Sequence, residues 1–331
     1  MQTPRVALTT PIDPAGERIL HEAGCEIVLA ADVGADALRA VCADADAVIV
    51  RALLPPDLID RSPRLLVAMR HGAGTDLIPV ERATELGVCV GFVPGVNANT
   101  TAEFAIAQLM AAARNLHGID HQMKAQGLAY ARPLSDRAIE ITGKTLGIVG
   151  VGAIGTRIAE IAHHGLRMRV LGFRREAAAL PSFVAYAPLE TMFAQADFIV
   201  LSCPLTTATR GLVSAALIAR MKPSAWLLNV ARGAVVDETA LVAALAARRI
   251  GGAALDVFGT QPLAPDHALM SLPNVILSPH IAGLSVEATV LTSQSAAADT
   301  VAILRGERPR HLFNPQVWPR FLERRRALGW S

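Results

Sequence analysis

Cysteine is scarce in this sequence, and the cysteines present do not form a recognisable framework. Cys25, Cys42, Cys89 and Cys203 lie far apart, with no CxxC pair and no spacing of metal ligands. A disulfide-stapled fold and a structural zinc site both need such spacings. Scattered single cysteines are typical of a reducing compartment, so we expect a cytoplasmic location and no bound metal.

Long apolar runs, targeting signals and strongly basic segments are lacking as well. No apolar stretch approaches the roughly 18 residues of a membrane-spanning helix, and the N-terminal residues lack the hydrophobic region of a signal peptide. The net charge is +2, and the densest basic cluster, Arg324–Arg326, is typical of a solvated chain end. We therefore expect neither a membrane nor a nucleic-acid partner.

The composition that remains suits well-formed apolar cores. The 331 residues are 52% hydrophobic and 18% charged, which is typical of a globular protein and not of a disordered one. A chain of this length usually forms two domains.

The first 91 residues alternate short apolar runs with helical patterns, which predicts a small α/β domain with a parallel sheet. Strands are predicted at 6–9, 26–29, 47–50, 65–69 and 88–90, and helical patterns at about 15–23, 35–43, 56–61 and 79–86. Gly24 and Gly87 stand where helix C-caps belong. After a polar break at 94–99, the residues of 100–103 resemble a capping box that opens a long helix.

A second alternating series follows, which predicts another parallel sheet. Strands are predicted at 145–149, 169–172, 197–201, 225–229, 253–257 and 275–277, and a last helix at about 285–305. We expect this helix to return to the first domain. The chain would then form a discontinuous domain of residues 1–98 and 286–331 and a second domain of residues 99–285.

A glycine motif follows the first strand of the second series. Gly150, Gly152 and Gly155 have the GxGxxG spacing, and a helical pattern begins with Ala153 and Ile154. The first glycine permits a tight turn, the second lets a pyrophosphate approach the backbone, and the third lets helix and strand pack closely. A plain glycine-rich turn is the alternative. The flanking strand and helix favour a dinucleotide site at the helix N-terminus.

Three further motifs follow strands of the same series, at 229–233, 254–263 and 278–283. Because the carboxyl ends of parallel strands meet at one edge of a sheet, we expect these motifs to converge. Arg232 offers a guanidinium fork for a carboxylate, and His280 offers a proton donor that titrates near neutral pH. Taken singly, each has an ordinary explanation as a surface ion pair or a structural histidine. Together they suit hydride transfer to a 2-oxoacid.

The whole set of motifs resembles the D-2-hydroxyacid dehydrogenase family, to which phosphoglycerate dehydrogenase and glyoxylate/hydroxypyruvate reductase belong. The resemblance covers nearly all of the chain and includes the loop at 71–76, the Gly150 fingerprint, the segment 203–206 and the three later motifs. It implies two Rossmann-like domains with parallel sheets and the cofactor in the cleft between them. It also implies NAD(P)-dependent hydride transfer between a nicotinamide and a small 2-oxo or 2-hydroxy acid, and a homodimer formed through long helices of the cofactor domain.

The resemblance also implies roles for individual residues. Arg232 and His280 would bind the substrate, with His280 as the acid/base, and the substrate loop would be His71, Gly72, Ala73 and Gly74. The cofactor would contact the fingerprint residues and, further along the chain, Cys203, Pro204, Val230, Ala231, Asp256 and Gly283.

Gln261 departs from the family pattern, in which a glutamate usually precedes the proline of this motif. A carboxylate beside His280 would raise the pKa of the imidazole, whereas an amide can only orient the ring. Formate dehydrogenases of the family also have Gln-Pro followed by Asp-His, which Asp266 and His267 resemble. Formate chemistry is therefore an alternative, although the chain lacks the longer N-terminal region of that subgroup.

A second departure follows the strand after the fingerprint, where NAD-dependent members have an acidic residue. Arg174 and Arg175 stand there and would favour a 2′-phosphate, so we expect NADP to be preferred over NAD. Two solvated arginines are the ordinary alternative. A third possibility for the whole protein is a non-catalytic dinucleotide-sensing scaffold, against which the presence of both Arg232 and His280 argues.

Overall fold

The protein is described from a computed structural model that covers residues 3–330. The chain divides into two units, one comprising the residues up to Asn97 and from Leu284 onward, the other comprising Ala98–Gly283. These boundaries lie one and two residues before those drawn from the sequence. Each unit is built around one parallel sheet, which confirms the predicted fold class.

The first unit has a five-stranded sheet in the order β2-β1-β3-β4-β5, with all neighbours parallel. Its strands are β1 (Arg5–Leu8), β2 (Glu26–Leu29), β3 (Ala47–Val50), β4 (Val67–Arg70) and β5 (Cys89–Gly91). The helices of this unit are α1 (Pro14–Glu22), α2 (Ala35–Cys42) and α3 (Val80–Glu85), and, from the C-terminal part, α11 (Val286–Leu304) and α12 (Trp318–Ala327).

The second unit has a seven-stranded parallel sheet in the order β12-β11-β10-β9-β6-β7-β8. Its strands are β6 (Thr145–Val149), β7 (Arg169–Phe173), β8 (Val184–Tyr186), β9 (Phe198–Leu201), β10 (Trp226–Asn229), β11 (Gly252–Leu255) and β12 (Val275–Leu277). Its helices are α4 (Ala98–Arg114), α5 (Leu116–Gln126), α6 (Leu128–Ala131), α7 (Ala153–Glu160), α8 (Leu189–Gln195), α9 (Ala215–Ile218) and α10 (Glu238–Ala246).

Local sequence explains where these elements begin and end. The Asp13 side chain accepts a hydrogen bond from the Ala15 N–H and Pro14 occupies the first helical position, so α1 starts there. Gly24 and Gly87 adopt positive φ just beyond α1 and α3, as C-cap glycines do. All four residues of β3 are buried, as expected for a central strand covered on both faces.

The strand order of the second unit positions its glycine turn. The chain runs outward from β6 to β7 and β8, then returns to place β9 on the other side of β6. Ligands of such open sheets bind where the strand order reverses, just beyond the carboxyl ends of the strands. The turn at Gly150 follows β6 at this point.

Three sequence predictions were wrong or incomplete. Residues 56–61 form turns and not a helix, because the segment begins at Pro56, lies between Pro55 and Pro63, and is too short to propagate helical hydrogen bonds. Helix α4 begins at Ala98, so the residues of 100–103 lie inside it and are not its cap. Strand β8 and the helices α5, α6 and α12 carried no clear periodic signal and were not predicted.

The C-terminal segment after α11 is tied to the sheet of the first unit. Asn314 is 1% exposed, and its side-chain oxygen accepts from the Val90 N–H while its amide donates to the Val88 carbonyl. The Phe313 N–H donates to the Val90 carbonyl, so the segment lies against β5. Across residues 3–330, no helix combines the length and apolar character required to cross a bilayer.

Candidate active site

The glycine turn after β6 has the geometry that a dinucleotide requires. Gly150 has φ +98°, and a Cβ there would lie 2.5 Å from the backbone nitrogen of Cys203. A Cβ on Gly155 would lie 2.3 Å from the Gly150 carbonyl oxygen, so helix and turn are in direct backbone contact. A Cβ on Gly152 would meet open space.

The start of α7 completes this cradle. Gly152 is the N-cap of the helix, and Ala153 and Ile154 form its first turn, where backbone N–H groups have no acceptor within the helix. The open space over Gly152, together with these N–H groups, fits the pyrophosphate of a dinucleotide. The residues present therefore suit the cofactor that the fingerprint predicts.

The two arginines beyond β7 have different environments. Arg174 is half-buried, and its Nη1 donates to the carbonyls of Val151 and Ala179, at 3.0 Å in both cases. This ties the fingerprint turn to the segment that follows β7. Arg175 is exposed to solvent. The pair therefore combines one anchored and one exposed cation at the position where dehydrogenases bind the ribose.

The turn that carries Arg232 is held by a buried asparagine. Asn229, the last residue of β10, is 1% exposed, and its side chain accepts from the Ala231 N–H and donates to the Arg232 carbonyl. The Val230 N–H donates to the Leu201 carbonyl of β9. Arg232 is half-buried, and its Nη1 donates to the Ala231 carbonyl at 2.7 Å.

Gly233, which follows Arg232, lies directly against the loop after β11. A Cβ at this position would be 1.9 Å from the carbonyl carbon and oxygen of Phe258. No side chain can be accommodated there without moving the backbone of one loop or the other. The Arg232 turn and the 258–261 loop are therefore packed backbone to backbone.

Gln261 and His280 meet within the second unit. The His280 Nδ1 lies 3.2 Å from the Gln261 Oε1, and both side chains are exposed. An amide oxygen can only accept a hydrogen bond, so Nδ1 carries the proton in the neutral ring. Nε2 is then the nitrogen that exchanges a proton with a ligand.

Asp266 and His267, which resemble a formate dehydrogenase motif, do not supply this partner. The His267 Nε2 lies 3.5 Å from Glu238 Oε1, and its Nδ1 accepts from the Leu269 N–H. The other oxygen of Glu238 accepts from the Gly259 N–H at 2.8 Å. His267 and Glu238 thus brace the loop that carries Gln261.

Asp256, predicted to contact the cofactor, is 2% exposed and is bonded within its own chain. Its carboxylate accepts hydrogen bonds from the Ser278 hydroxyl and from the N–H groups of Ile281 and Ala282. Its contact with the nicotinamide stays a prediction. Ser278 and Asn229 stand in two of the motifs but were not predicted as site residues, because each holds other residues in place.

Two further predicted cofactor residues, Cys203 and Pro204, lie just beyond β9. Cys203 is buried, and burial raises the pKa of its thiol. The Thr209 hydroxyl donates to the Pro204 carbonyl, which folds this loop back on itself. Gly283 is the last residue of the second unit. It follows Ala282, whose N–H donates to the Asp256 carboxylate.

An apolar cavity of about 450 Å³ lies beside the Gln261–His280 pair. Its lining residues all belong to the second unit and are Phe258, Gln261, Pro262, Leu263, Met270, Leu277, Ser278, Pro279 and His280. The arrangement places a proton-exchanging imidazole at the border of a mostly apolar space.

The predicted substrate loop belongs to the first unit and is organised by Arg70. The guanidinium donates to the carbonyls of Val50, His71 and Gly74, which closes the loop around the side chain. Gly72 has φ +137°, a conformation that favours glycine. Ala73 lies at the exposed face of this loop.

The His71 ring lies inside the first unit. It is 8% exposed, and its Nε2 lies 2.8 Å from the hydroxyl of Ser293 on α11, which also accepts from the Asp13 N–H. Burial, aided by the positive charges of Arg51 and Arg70, lowers the pKa of His71 to about 4. The ring is therefore neutral near pH 7. Any substrate contact of this loop would have to come from its backbone or from the side chains that follow His71.

Known proteins are similar to this chain over the region that contains these motifs. Residues 106–282 match the family model described as D-isomer specific 2-hydroxyacid dehydrogenase, NAD binding domain. A glyoxylate reductase from Korarchaeum cryptofilum is 39% identical over 280 residues, which cover 83% of this chain and 84% of that protein.

Two solved structures are also similar. An NADPH-dependent glyoxylate/hydroxypyruvate reductase from Sinorhizobium meliloti, in complex with NADP and malonate, has a TM-score of 0.81 at 30% identity, covering 94% of this chain and 97% of that one. An NAD-dependent formate dehydrogenase from Staphylococcus aureus has a TM-score of 0.82 at 27% identity, covering 91% and 95%.

The two parallel sheets, the glycine fingerprint and these comparisons together define a two-domain nicotinamide-dependent dehydrogenase. The chain belongs to the D-isomer specific 2-hydroxyacid dehydrogenase family, which confirms the resemblance found in the sequence. It is an NAD(P)-dependent oxidoreductase of 2-oxoacids and 2-hydroxy acids.

The contact between Gln261 and His280 predicts the effect of restoring a carboxylate. In Gln261→Glu, the carboxylate stabilises the imidazolium and raises the pKa of His280 relative to the wild type. Reduction of a 2-oxoacid needs the protonated ring, so its loss occurs at a higher pH in the variant. We expect the alkaline limb of the pH profile of kcat/KM to move upward by about one pH unit or more.

The same substitution at an exposed glutamine at the end of α8, Gln195→Glu, is the control and should leave the profile unchanged. An alkaline limb that stays in place in Gln261→Glu would show that this side chain does not tune His280.

Proposed function

We propose that the protein reduces small 2-oxoacids of the glyoxylate and hydroxypyruvate type, with a preference for NADPH. The observation that carries the proposal is the hydrogen bond between His280 Nδ1 and Gln261 Oε1, because it presents Nε2 as the proton donor for a carbonyl oxygen. The relatives named as glyoxylate reductases support the choice of substrate class. The cytoplasmic location expected from the sequence stays a prediction.

Arg232 is proposed to bind the substrate carboxylate. Its backbone is held by Asn229, and one of its terminal nitrogens is engaged by the Ala231 carbonyl, so the guanidinium has little freedom to rotate. A planar, pre-oriented fork suits a carboxylate better than a flexible ammonium group does. With the carboxylate fixed, the carbonyl carbon has a defined position for hydride transfer.

The cofactor is proposed to be held by the cradle described above. The pyrophosphate would lie on the backbone of Gly152, Ala153 and Ile154, and the adenosine ribose near Arg174 and Arg175. When bound, the nicotinamide supplies the hydride. The residues Cys203, Pro204, Val230, Ala231, Asp256 and Gly283 remain proposed cofactor contacts.

Formate oxidation is the second candidate, because Gln261 occupies the position of a family glutamate and a formate dehydrogenase is among the similar structures. Formate oxidation releases carbon dioxide and needs no proton on a product oxygen. His267, however, contacts Glu238. The Asp-His sequence that resembles that subgroup therefore belongs to the loop that supports Gln261.

Turnover of glyoxylate, hydroxypyruvate, pyruvate and formate with both cofactors tests the proposal. We expect kcat/KM to be highest for glyoxylate or hydroxypyruvate, and Arg232→Ala to lower it at least about 10²-fold because the carboxylate loses its placement. Arg220→Ala, at an exposed arginine of the same unit, is the control. Turnover of formate alone would establish the second candidate, and no turnover with retained dinucleotide binding would indicate a sensing scaffold.

The preference for NADPH over NADH is tested by substituting the exposed Arg175. A 2′-phosphate loses a charge-assisted hydrogen bond in Arg175→Ala, so kcat/KM for NADPH should fall by about tenfold or more while that for NADH changes little. Arg174→Asp should shift the preference in the same direction, with an added loss of stability because Arg174 also ties two backbone segments together. Equal or better kcat/KM with NADH in the wild type would contradict the proposed preference.

We also propose that two copies pair through α5 and α6. Helix α5 buries none of its side chains within the chain, and the exposed apolar residues of this region are Leu116, Met123, Leu128 and Tyr130. A surface helix whose residues are at most half-buried is poorly stabilised on its own, so a second copy covering it is the simplest account.

Analytical ultracentrifugation should give twice the chain mass of 34.9 kDa. Leu128→Arg, at a side chain that is 66% exposed, should shift the protein towards monomer, because it would bury a charge in the interface. Val33→Arg, at a side chain 58% exposed in the other unit, should not. A monomeric wild type would rule out the pairing.

A further inference from the structure

His280 has a backbone conformation that its sequence does not favour. Its φ is +58°, in the left-handed region that non-glycine residues rarely adopt. Such a residue is strained, and it persists only when its surroundings impose the conformation.

Several of the hydrogen bonds around this turn go to one residue, Asp256. The Asp256 carbonyl accepts from the His280 N–H at 2.9 Å. The Asp256 carboxylate accepts from the N–H groups of Ile281 and Ala282, at 2.9 and 2.8 Å. Backbone bonds thus fix the chain at His280 and on its C-terminal side.

Ser278 fixes the chain on the N-terminal side, where its backbone N–H donates to the Leu255 carbonyl at 3.0 Å and its side chain adds a second bond. Its hydroxyl donates to Asp256 Oδ1 at 2.6 Å, a short bond to a carboxylate that is 2% exposed. Pro279 lies between Ser278 and His280 and fixes its own φ while restricting Ser278 to extended conformations. The segment from Ser278 to Ala282 is therefore clamped to one carboxylate at both ends, with His280 at its apex.

We propose that Ser278 is a positioning residue for His280, acting through the carboxylate of Asp256. The hydroxyl bond holds the left-handed turn closed, and the closed turn aims Nδ1 at the amide oxygen of Gln261. Of the three groups that donate to this carboxylate, Ser278 contributes the one side chain, so it can be removed without changing the backbone. The effect on turnover rests on the proposed function, whereas the effect on the ring does not.

Without the hydroxyl, the turn can relax towards the right-handed region, which moves the imidazole away from Gln261. Two observable changes follow. The neutral ring loses its preference for the proton on Nδ1 and becomes a mixture of tautomers. Turnover falls because Nε2 is less often in position, whereas substrate binding through Arg232 persists.

The experiment compares Ser278→Ala with the wild type in two measurements. Long-range ¹H–¹⁵N spectra of the imidazole, recorded without substrate and assigned with His280→Asn, report the tautomer. We expect one tautomer, with the proton on Nδ1, in the wild type and a mixture in the variant. With glyoxylate and NADPH, we expect kcat to fall about tenfold and KM to change less than twofold.

Matched variants separate positioning from general stability. Ser278→Thr keeps the hydroxyl and should restore both the tautomer and kcat. Ser214→Ala removes the hydroxyl that caps α9, in the same unit but away from the His280 loop, and should change neither. If Ser278→Ala does not fold, Ser278→Cys, with a similar size and a weak donor, takes its place.

A single Nδ1–H tautomer and an unchanged kcat in Ser278→Ala would overturn the proposal and make the hydroxyl a structural cap alone. If the wild type reduces no 2-oxoacid, the proposed function fails, and the tautomer comparison still decides the role of Ser278.

Discussion

The constraint on which this protein depends is the parallel order of its larger sheet. Five neighbouring strands, β6, β9, β10, β11 and β12, all deliver their carboxyl ends to one edge. Neighbouring strands are about 4.8 Å apart, so the loops that follow them lie close enough for their residues to contact one another. Gly150, Cys203, Arg232, Asp256 and His280 each follow one of these five strands.

At this edge, the residues proposed to act in the reaction are held in place by residues with no proposed chemical role. Asn229 holds the turn of Arg232, Glu238 and His267 hold the loop of Gln261, and Asp256 holds the loop of His280. In the first unit, Arg70 does the same for its loop with a single guanidinium. Each holding group is a side chain bonded mainly to backbone, so a loop without regular structure acquires a defined shape.

Much of this arrangement can be predicted from the sequence. The strand runs and the glycine spacing predict two parallel sheets and a dinucleotide turn, because burial and turn geometry both leave periodic signals. The placement of Arg232 and His280 beyond this edge could be predicted for the same reason, since each lies three residues after the end of a strand. The pairing of His280 with Gln261 was expected from the family pattern.

The remaining features depend on contacts between distant parts of the chain, which no local pattern contains. The ring of His71 lies against Ser293, more than two hundred residues away in sequence, whereas the substrate role of its loop stays a prediction. The left-handed conformation of His280 leaves no periodic signal in the sequence, and the His280 N–H donates to the carbonyl of Asp256 on another strand end. Residues 56–61 have a helical composition, but the prolines around them decide the outcome.

The contact of Gly233 with Phe258 has a consequence for how this site can diverge. With the two backbones touching, a residue inserted near Phe258 would push on the turn of Arg232, and a side chain at position 233 would push on the loop of Gln261. Neither segment is an independent module. For the specificity of this scaffold to change, residues 229–233 and 256–263 therefore have to be replaced together. The two segments would be inherited as one block.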